Sequence, residues 1–125
     1  MPLYTITTQA GILGSSGKAQ LADKLTVFHS EYAGVPQDWV HIVFHEYPSG
    51  CGFTAGKPSP TVALTLLIRT GRAADYKREM LKRLWSLLQD ATGAPDKEIV
   101  LGIQEVPSSQ AMEMGQIMPD LPLTR

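Results

Sequence analysis

The chain is written twice. Gly34-Val35-Pro36 followed by Glu46-Tyr47-Pro48-Ser49 recurs 59 residues later as Gly93-Ala94-Pro95 followed by Glu105-Val106-Pro107-Ser108. At the same offset Lys18 matches Lys77, Leu25 matches Leu84, Leu21 matches Met80 and Phe28 matches Leu87, with no gap. Two copies are too few for a solenoid, so the repeat implies a compact pseudo-symmetric domain. Each copy reads strand, helix, strand. Leu3–Thr8 is rich in β-branched residues, and residues 15–33 set Leu21, Leu25, Phe28, His29 and Tyr32 on one helical face. Gly34 and Pro36 end that helix, and Val40–Glu46 alternates like a half-buried strand. The second copy gives a strand at Val62–Ile68, a helix over about 73–91 and a strand at Ile99–Val106. Met80, Leu81, Leu84, Leu87, Leu88 and Ala91 form its inner face; Lys77, Arg78, Lys82 and Arg83 form a solvated one.

A strand joined to another through a long helix is a parallel crossover. Two such units make an α/β (α+β) domain, a mixed four-stranded sheet with both helices on one face. A single domain therefore spans 1–125, with repeat 1 at about 2–48, repeat 2 at about 61–107 and a tail at 108–125. The Gly/Pro/Ser-rich segment 48–60 reads as an exposed hairpin or loop, and the tail as a short amphipathic stretch (SSQAMEMG) with loose Pro-rich residues after it. The helix-free face of the sheet needs a cover, and other copies of the chain are the natural one.

Charge and cysteine content narrow the function. Eleven Lys and Arg against 12 Asp and Glu give a net charge of -1, which offers no electrostatic case for nucleic acid or an anionic membrane. Cys51 is the only cysteine, which excludes an internal disulfide and a four-thiolate zinc site. The start MPLYTITTQAGILG has no basic n-region and no long apolar run, so a cytoplasmic location is expected. GFTAGKP falls short of a phosphate loop, because Cys51 stands at the first glycine position and Pro58 where Ser or Thr is required. His41 and His45 lie on a strand, where four residues span roughly 13 Å, too far to share a metal. They read as solvent-facing.

Met1-Pro2 brings in chemistry. Removing Met1 leaves Pro2 with a free secondary amine at the head of a strand. Together with the repeat and the chain length, this resembles the tautomerase superfamily, and within it the cis-3-chloroacrylic acid dehalogenase group. The resemblance covers nearly the whole chain: His29 late in the first helix, Ile68-Arg69-Thr70-Gly71-Arg72 entering the second, and Glu105-Val106-Pro107 leading to Gln110, Glu113 and Gly115. It implies an active site of Pro2, His29, Glu113, Arg69 and Arg72, with no cofactor and no metal. It also implies a tautomerase-like homotrimer with sites near subunit boundaries. The dehalogenases carry a tyrosine where this chain has Gly102, which argues against efficient hydrolytic dehalogenation; Tyr4, Tyr32 and Tyr47 are the available substitutes.

Burial and neighbouring cations both disfavour a protonated amine, so Arg69 and Arg72 would tune Pro2 toward a neutral base. Such a base moves a proton between carbon and oxygen of a small 2-oxo or enol acid. The arginines would fork the carboxylate and stabilise enolate charge, with His29 bonding the same carboxylate or carbonyl. Glu113 favours the opposite protonation state. With Pro2 as acid and Glu113 activating water, the site would hydrate 3-substituted acrylic acids, and a 3-halogen adduct would lose halide. A malonate semialdehyde decarboxylase-like enzyme is a second reading, resting on Gly34-Val35-Pro36-Gln37-Asp38 with Asp38 as the acid and Arg72 as carboxylate holder. A non-enzymatic ligand-binding protein on a related β-α-β fold is a third.

Overall fold

In the computed structural model, which describes residues 1–121, the sequence duplication becomes a duplication of structure. The first copy runs β1 (Leu3–Gln9), α1 (Gly14–Ala33) and β2 (His41–Tyr47), then a short hairpin of β3 (Phe53–Thr54) and β4 (Lys57–Pro58). The second runs β5 (Val62–Arg69), α2 (Ala74–Thr92) and β6 (Ile99–Val106), then a hairpin of β7 (Met112–Glu113) and β8 (Gln116–Ile117). The central sheet has the order β2-β1-β5-β6. β1 and β2 are parallel, β5 and β6 are parallel, and β1 meets β5 antiparallel. The expected mixed four-stranded sheet is therefore present. Exchanging the two copies turns the Thr5–Thr65 pair into the Ile6–Leu64 pair, so a pseudo-twofold axis passes between β1 and β5.

Alternation along the two central strands decides the layers. Tyr4, Ile6 and Thr8 on β1 and Val62, Leu64, Leu66 and Ile68 on β5 are buried. They face Leu21, Leu25 and Phe28 of α1 and Met80, Leu84 and Leu88 of α2, residues three or four apart on each helix. Each helix stops at a left-handed glycine with φ 69°, Gly34 or Gly93, whose amide bonds back to Ser30 or Gln89. Equivalent ion pairs tie each helix to its second strand: Lys18 to Glu46 at 2.6 Å, and Lys77 to Glu105 at 2.8 Å. Lys77 is thus partnered rather than merely solvated. Arg83 lies over the Phe28 ring, 5.3 Å from its centre.

The repeat runs further than the sequence identities do. Ala55 and Gly56 turn the first hairpin at φ 53° and 75°; Met114 and Gly115 turn the second at φ 51° and 75°. Positive φ at both central residues is the turn that matches strand twist. One further bond closes each unit, Ser59 N–H to the Gly52 carbonyl at 2.9 Å and Met118 N–H to the Ala111 carbonyl at 2.8 Å. The segment read as an amphipathic stretch of the tail is thereby the structural twin of β3–β4. The last four residues of the tail lie outside the described residues.

Candidate active site

The head of β1 is fixed before any chemistry is considered. The Pro2 carbonyl accepts a hydrogen bond from the His41 amide at 3.2 Å, which stitches the chain start to β2. Strand alternation puts Pro2 on the same buried side as Tyr4, facing the helices. Met1 precedes it, half-buried, and its amine forms an ion pair with the carboxylate of Glu113 on β7. The other carboxylate oxygen of Glu113 lies 3.7 Å from Nδ1 of His41. The second hairpin thereby carries one acid to the chain start.

Two arginines come from the end of β5. Arg69 is its last residue and is buried; its guanidinium donates to the Pro119 carbonyl at 2.5 Å. Gly71 sits at φ 128° in the turn that follows, a backbone shape open to glycine, with Leu121 packed where a Cβ would lie. Arg72 closes that turn with its guanidinium 4.9 Å above the Tyr76 ring. From α1 comes His29, buried, with Nδ1 2.7 Å from the Tyr4 hydroxyl. Met1, His29, Arg69, Arg72 and Tyr76 line one small cavity over an apolar floor that includes Ile68 and Met80.

The electrostatics follow from burial and crowding of like charge. Burial, then Arg69, pulls the Met1 amine down to about 6. Glu113 acts in the opposite sense, since a carboxylate favours the ammonium, but the first two effects prevail. Burial, then Arg72 and the chain-start amine, lowers His29 to about 4, so its imidazole is neutral at pH 7. Burial and Arg72 hold Arg69 below the usual guanidinium value. Burial raises the Tyr4 phenol, which therefore keeps its proton. Two guanidiniums around one cavity make a site for an anion.

Of the five residues singled out in the sequence, His29, Arg69 and Arg72 line the cavity together with Met1. Pro2 follows Met1 and Glu113 pairs with the Met1 amine, and neither of these two is among the lining residues. Asp38 is exposed on a 3-10 turn (Gln37–Trp39) and is not among the cavity's lining residues. Gly102 pairs with Thr65 on the helix-free face, where a Cβ would meet open space. Tyr47 and Tyr32 are engaged elsewhere, donating to the carbonyls of Thr61 and Tyr76. Three features escaped the sequence: the Tyr4 bond to His29, the Pro119 carbonyl on Arg69, and His41 beside Glu113. Only the first left a signal, since alternation puts Tyr4 on the helix-facing side opposite the apolar face that carries His29. Among the described residues, no group of three His, Cys, Asp or Glu side chains could hold a metal ion. No helix among them is long and apolar enough to cross a membrane.

Known proteins match both the fold and the sequence. Native Ps01740 superposes with a TM-score of 0.84 at 31% identity, over 89% of this chain and 99% of that one. N1, a member of the cis-3-chloroacrylic acid dehalogenase family, superposes with a TM-score of 0.87 at 28% identity, over 94% of this chain and 84% of that one. A symmetric trimer of wild-type fused 4-OT shares the fold alone, with 16% identity and a TM-score of 0.83 over 93% of this chain and 94% of that one. No curated protein matches the chain. The fold and these likenesses define an enzyme of the tautomerase superfamily. More narrowly, the chain belongs to the family described as "Putative oxalocrotonate tautomerase enzyme", whose model matches residues 1–123.

Proposed function

We propose that the chain is a cofactor-independent tautomerase of small 2-oxo and enol carboxylic acids, with the nitrogen of Pro2 as its base once Met1 is removed. One observation carries the reading: the chain-start amine lies in a buried, cationic cavity and is held near 6 rather than at its ordinary value. Removing Met1 moves that amine one residue inward, about 3.8 Å along the chain, to the fully buried Pro2. The neutral nitrogen then takes a proton from the carbon beside the substrate carbonyl. The C–H electron pair becomes the enol double bond, the carbonyl π pair moves onto oxygen, and the oxygen takes the proton back from Pro2, which leaves the base neutral; the reverse order ketonises an enol. Arg69 and Arg72 hold the carboxylate, and His29 bonds the oxygen on which charge builds.

Glu113 beside the amine favours a second activity on the same residues, hydration of 3-substituted acrylic acids. There Glu113 takes a proton from water as its oxygen bonds C3, the C2–C3 π pair moves to C2, and protonated Pro2 delivers its proton to that carbon. A 3-halogen adduct is a halohydrin; its halide leaves with the C–X pair, the hydroxyl oxygen forms the C=O bond and its proton passes to solvent, which gives the aldehyde. The relative from the dehalogenase family, at 28% identity, supports this side activity. The two activities have opposite pH dependence: ketonisation rises as the amine loses its proton, and hydration falls. We read the working unit as a homotrimer in the cytoplasm, acting on a small carboxylate.

Phenylenolpyruvate is the test substrate. Processed wild type, Pro2→Ala and a form that retains Met1 are compared for ketonisation. Both altered forms are expected to lose on the order of 100-fold or more in kcat/KM. Wild type no faster than the uncatalysed reaction would overturn the tautomerase reading.

A further inference from the structure

The buried pair Tyr4 and His29 has no place in the scheme above beyond the contact that His29 makes with substrate. We infer that Tyr4 is a positioning residue of the reaction: its hydroxyl fixes His29 as the Nε2–H tautomer, so that one N–H points to the substrate oxygen. The inference rests on the tautomerase reading for its role in catalysis, and on geometry for the tautomer.

The geometry begins with proton counting. Tyr4 is fully buried and His29 is 3% exposed, so water is not a ready partner for the hydroxyl. The hydroxyl oxygen lies 2.7 Å from Nδ1, and the two rings meet edge to face, 5.5 Å apart at 88°. One proton occupies that bond. If Nδ1 supplied it, the phenol would accept, and its own O–H would need a second partner. The bond to Nδ1 is the one seen for that hydroxyl among the described residues, and a buried hydroxyl left without an acceptor costs considerable free energy. If the phenol supplies it, both groups are satisfied. Nδ1 then carries no proton, and the single imidazole proton sits on Nε2. That nitrogen is left for the cavity that His29 lines with Arg69 and Arg72. Burial first, then Arg72 and the chain-start amine, keeps the ring from taking a second proton.

The consequence is a division of labour along one strand. Pro2, just ahead of β1, and Tyr4 within it stand two residues apart and are both buried, on the side that faces the helices. The first supplies the base, and the second sets the donor on α1 that meets the charge which the base creates. A neutral N–H donor stabilises enolate oxygen without holding it as a tight ion pair, and a fixed tautomer needs no reorganisation when charge appears.

The test reads the proton directly. Long-range ¹H–¹⁵N spectra of uniformly labelled, processed protein are recorded at pH 7, with His29 assigned by its loss in His29→Asn. The expected wild-type pattern is a protonated Nε2 and an unprotonated Nδ1. In Tyr4→Phe the pattern shifts toward a mixture of tautomers, and kcat for phenylenolpyruvate falls about tenfold with little change in KM, because the arginines still hold the carboxylate. A wild-type spectrum with the proton on Nδ1 overturns the inference, and does so even if Tyr4→Phe fails to fold. A folded Tyr4→Phe with unchanged kcat also overturns it while leaving the tautomerase reading intact. Absent ketonisation in wild type sinks that reading, and with it the catalytic role of Tyr4; the spectrum still decides the tautomer.

Discussion

At the scale of single residues, a histidine that is neutral when buried makes stability depend on pH. The folded-state value of His29 is about 4, against about 6.5 for an unfolded histidine. Between those values the unfolded chain binds the extra proton and the folded chain does not, so stability rises with pH there. The contribution is fully present above about pH 6.5, fades as pH falls toward 4 and is gone below. Its size is on the order of 3 kcal/mol. Urea midpoints measured from pH 7 to pH 4 should fall more steeply for wild type than for His29→Asn, which has nothing to protonate at that position. Equal slopes would place the charge-resisting site elsewhere. The five candidate residues stood out because each has a distinctive type at a distinctive place: a second-position proline, a histidine on an apolar helix face, two arginines at a helix entrance, and a late glutamate. What each one touches was not legible. The contact of Tyr4 with His29 spans 25 residues, and that of Arg69 with Pro119 spans 50, and both depend on packing rather than on any local pattern.

At the scale of elements, the repeat allows each copy to serve as a control for the other. Gly52 and Ala111 are equivalent positions just before the two hairpins. A Cβ on Gly52 would lie 2.5 Å from the Tyr47 hydroxyl and 2.6 Å from the Ser59 carbonyl. The equivalent of Tyr47 is the smaller Val106, and there Ala111 is accommodated and buried. Tyr47 is held by its bond to the Thr61 carbonyl, so it cannot swing aside without losing a partner. Gly52→Ala should therefore destabilise the fold by about 1–3 kcal/mol. The double change Gly52→Ala with Tyr47→Val should recover much of that, and thermal melts of the three proteins check it. A Gly52→Ala protein that melts like wild type would mean that the loop moves freely. The strands and helices were legible to within a residue or two because their apolar periods are strong. The second hairpin was not. Its turn is specified by backbone shape, and only Gly56 and Gly115 are identical between the hairpins; Ala55 and Met114 take the same left-handed conformation with unrelated side chains.

At the scale of the whole molecule, the sheet is covered on one side only. Across the helix-free face run Val43, Thr5, Thr65 and Gly102, one residue from each strand in a single register row. Val43 is exposed, as is Val100 two residues before Gly102. Phe53, Met112, Met114 and Ile117 extend the apolar exposure onto both hairpins. Among the described residues, β2 and β6 are the two edges of the sheet, each with an unpaired side. A sheet face with exposed Val43 and Val100, two edges and two hairpins with exposed apolar residues are what a closed oligomer would bury. Thr65→Lys tests this at the centre of the face. In a separate chain the lysine would extend from an uncovered sheet, and the fold should change in stability by no more than about 0.5 kcal/mol. In an oligomer it would bury an unpaired charge where copies meet. Light scattering should therefore give three times the 13.6 kDa chain mass for wild type and a smaller mass for Thr65→Lys, with the helical circular dichroism of the two unchanged. A wild-type protein of single-chain mass would show that this face needs no cover. A Thr65→Lys protein that stays trimeric would move the interface to the edges and hairpins. Comparing ketonisation in the dissociated chain with that of the trimer then separates two designs: unchanged kcat/KM means that one chain holds the whole site, and its loss means that a neighbour completes it.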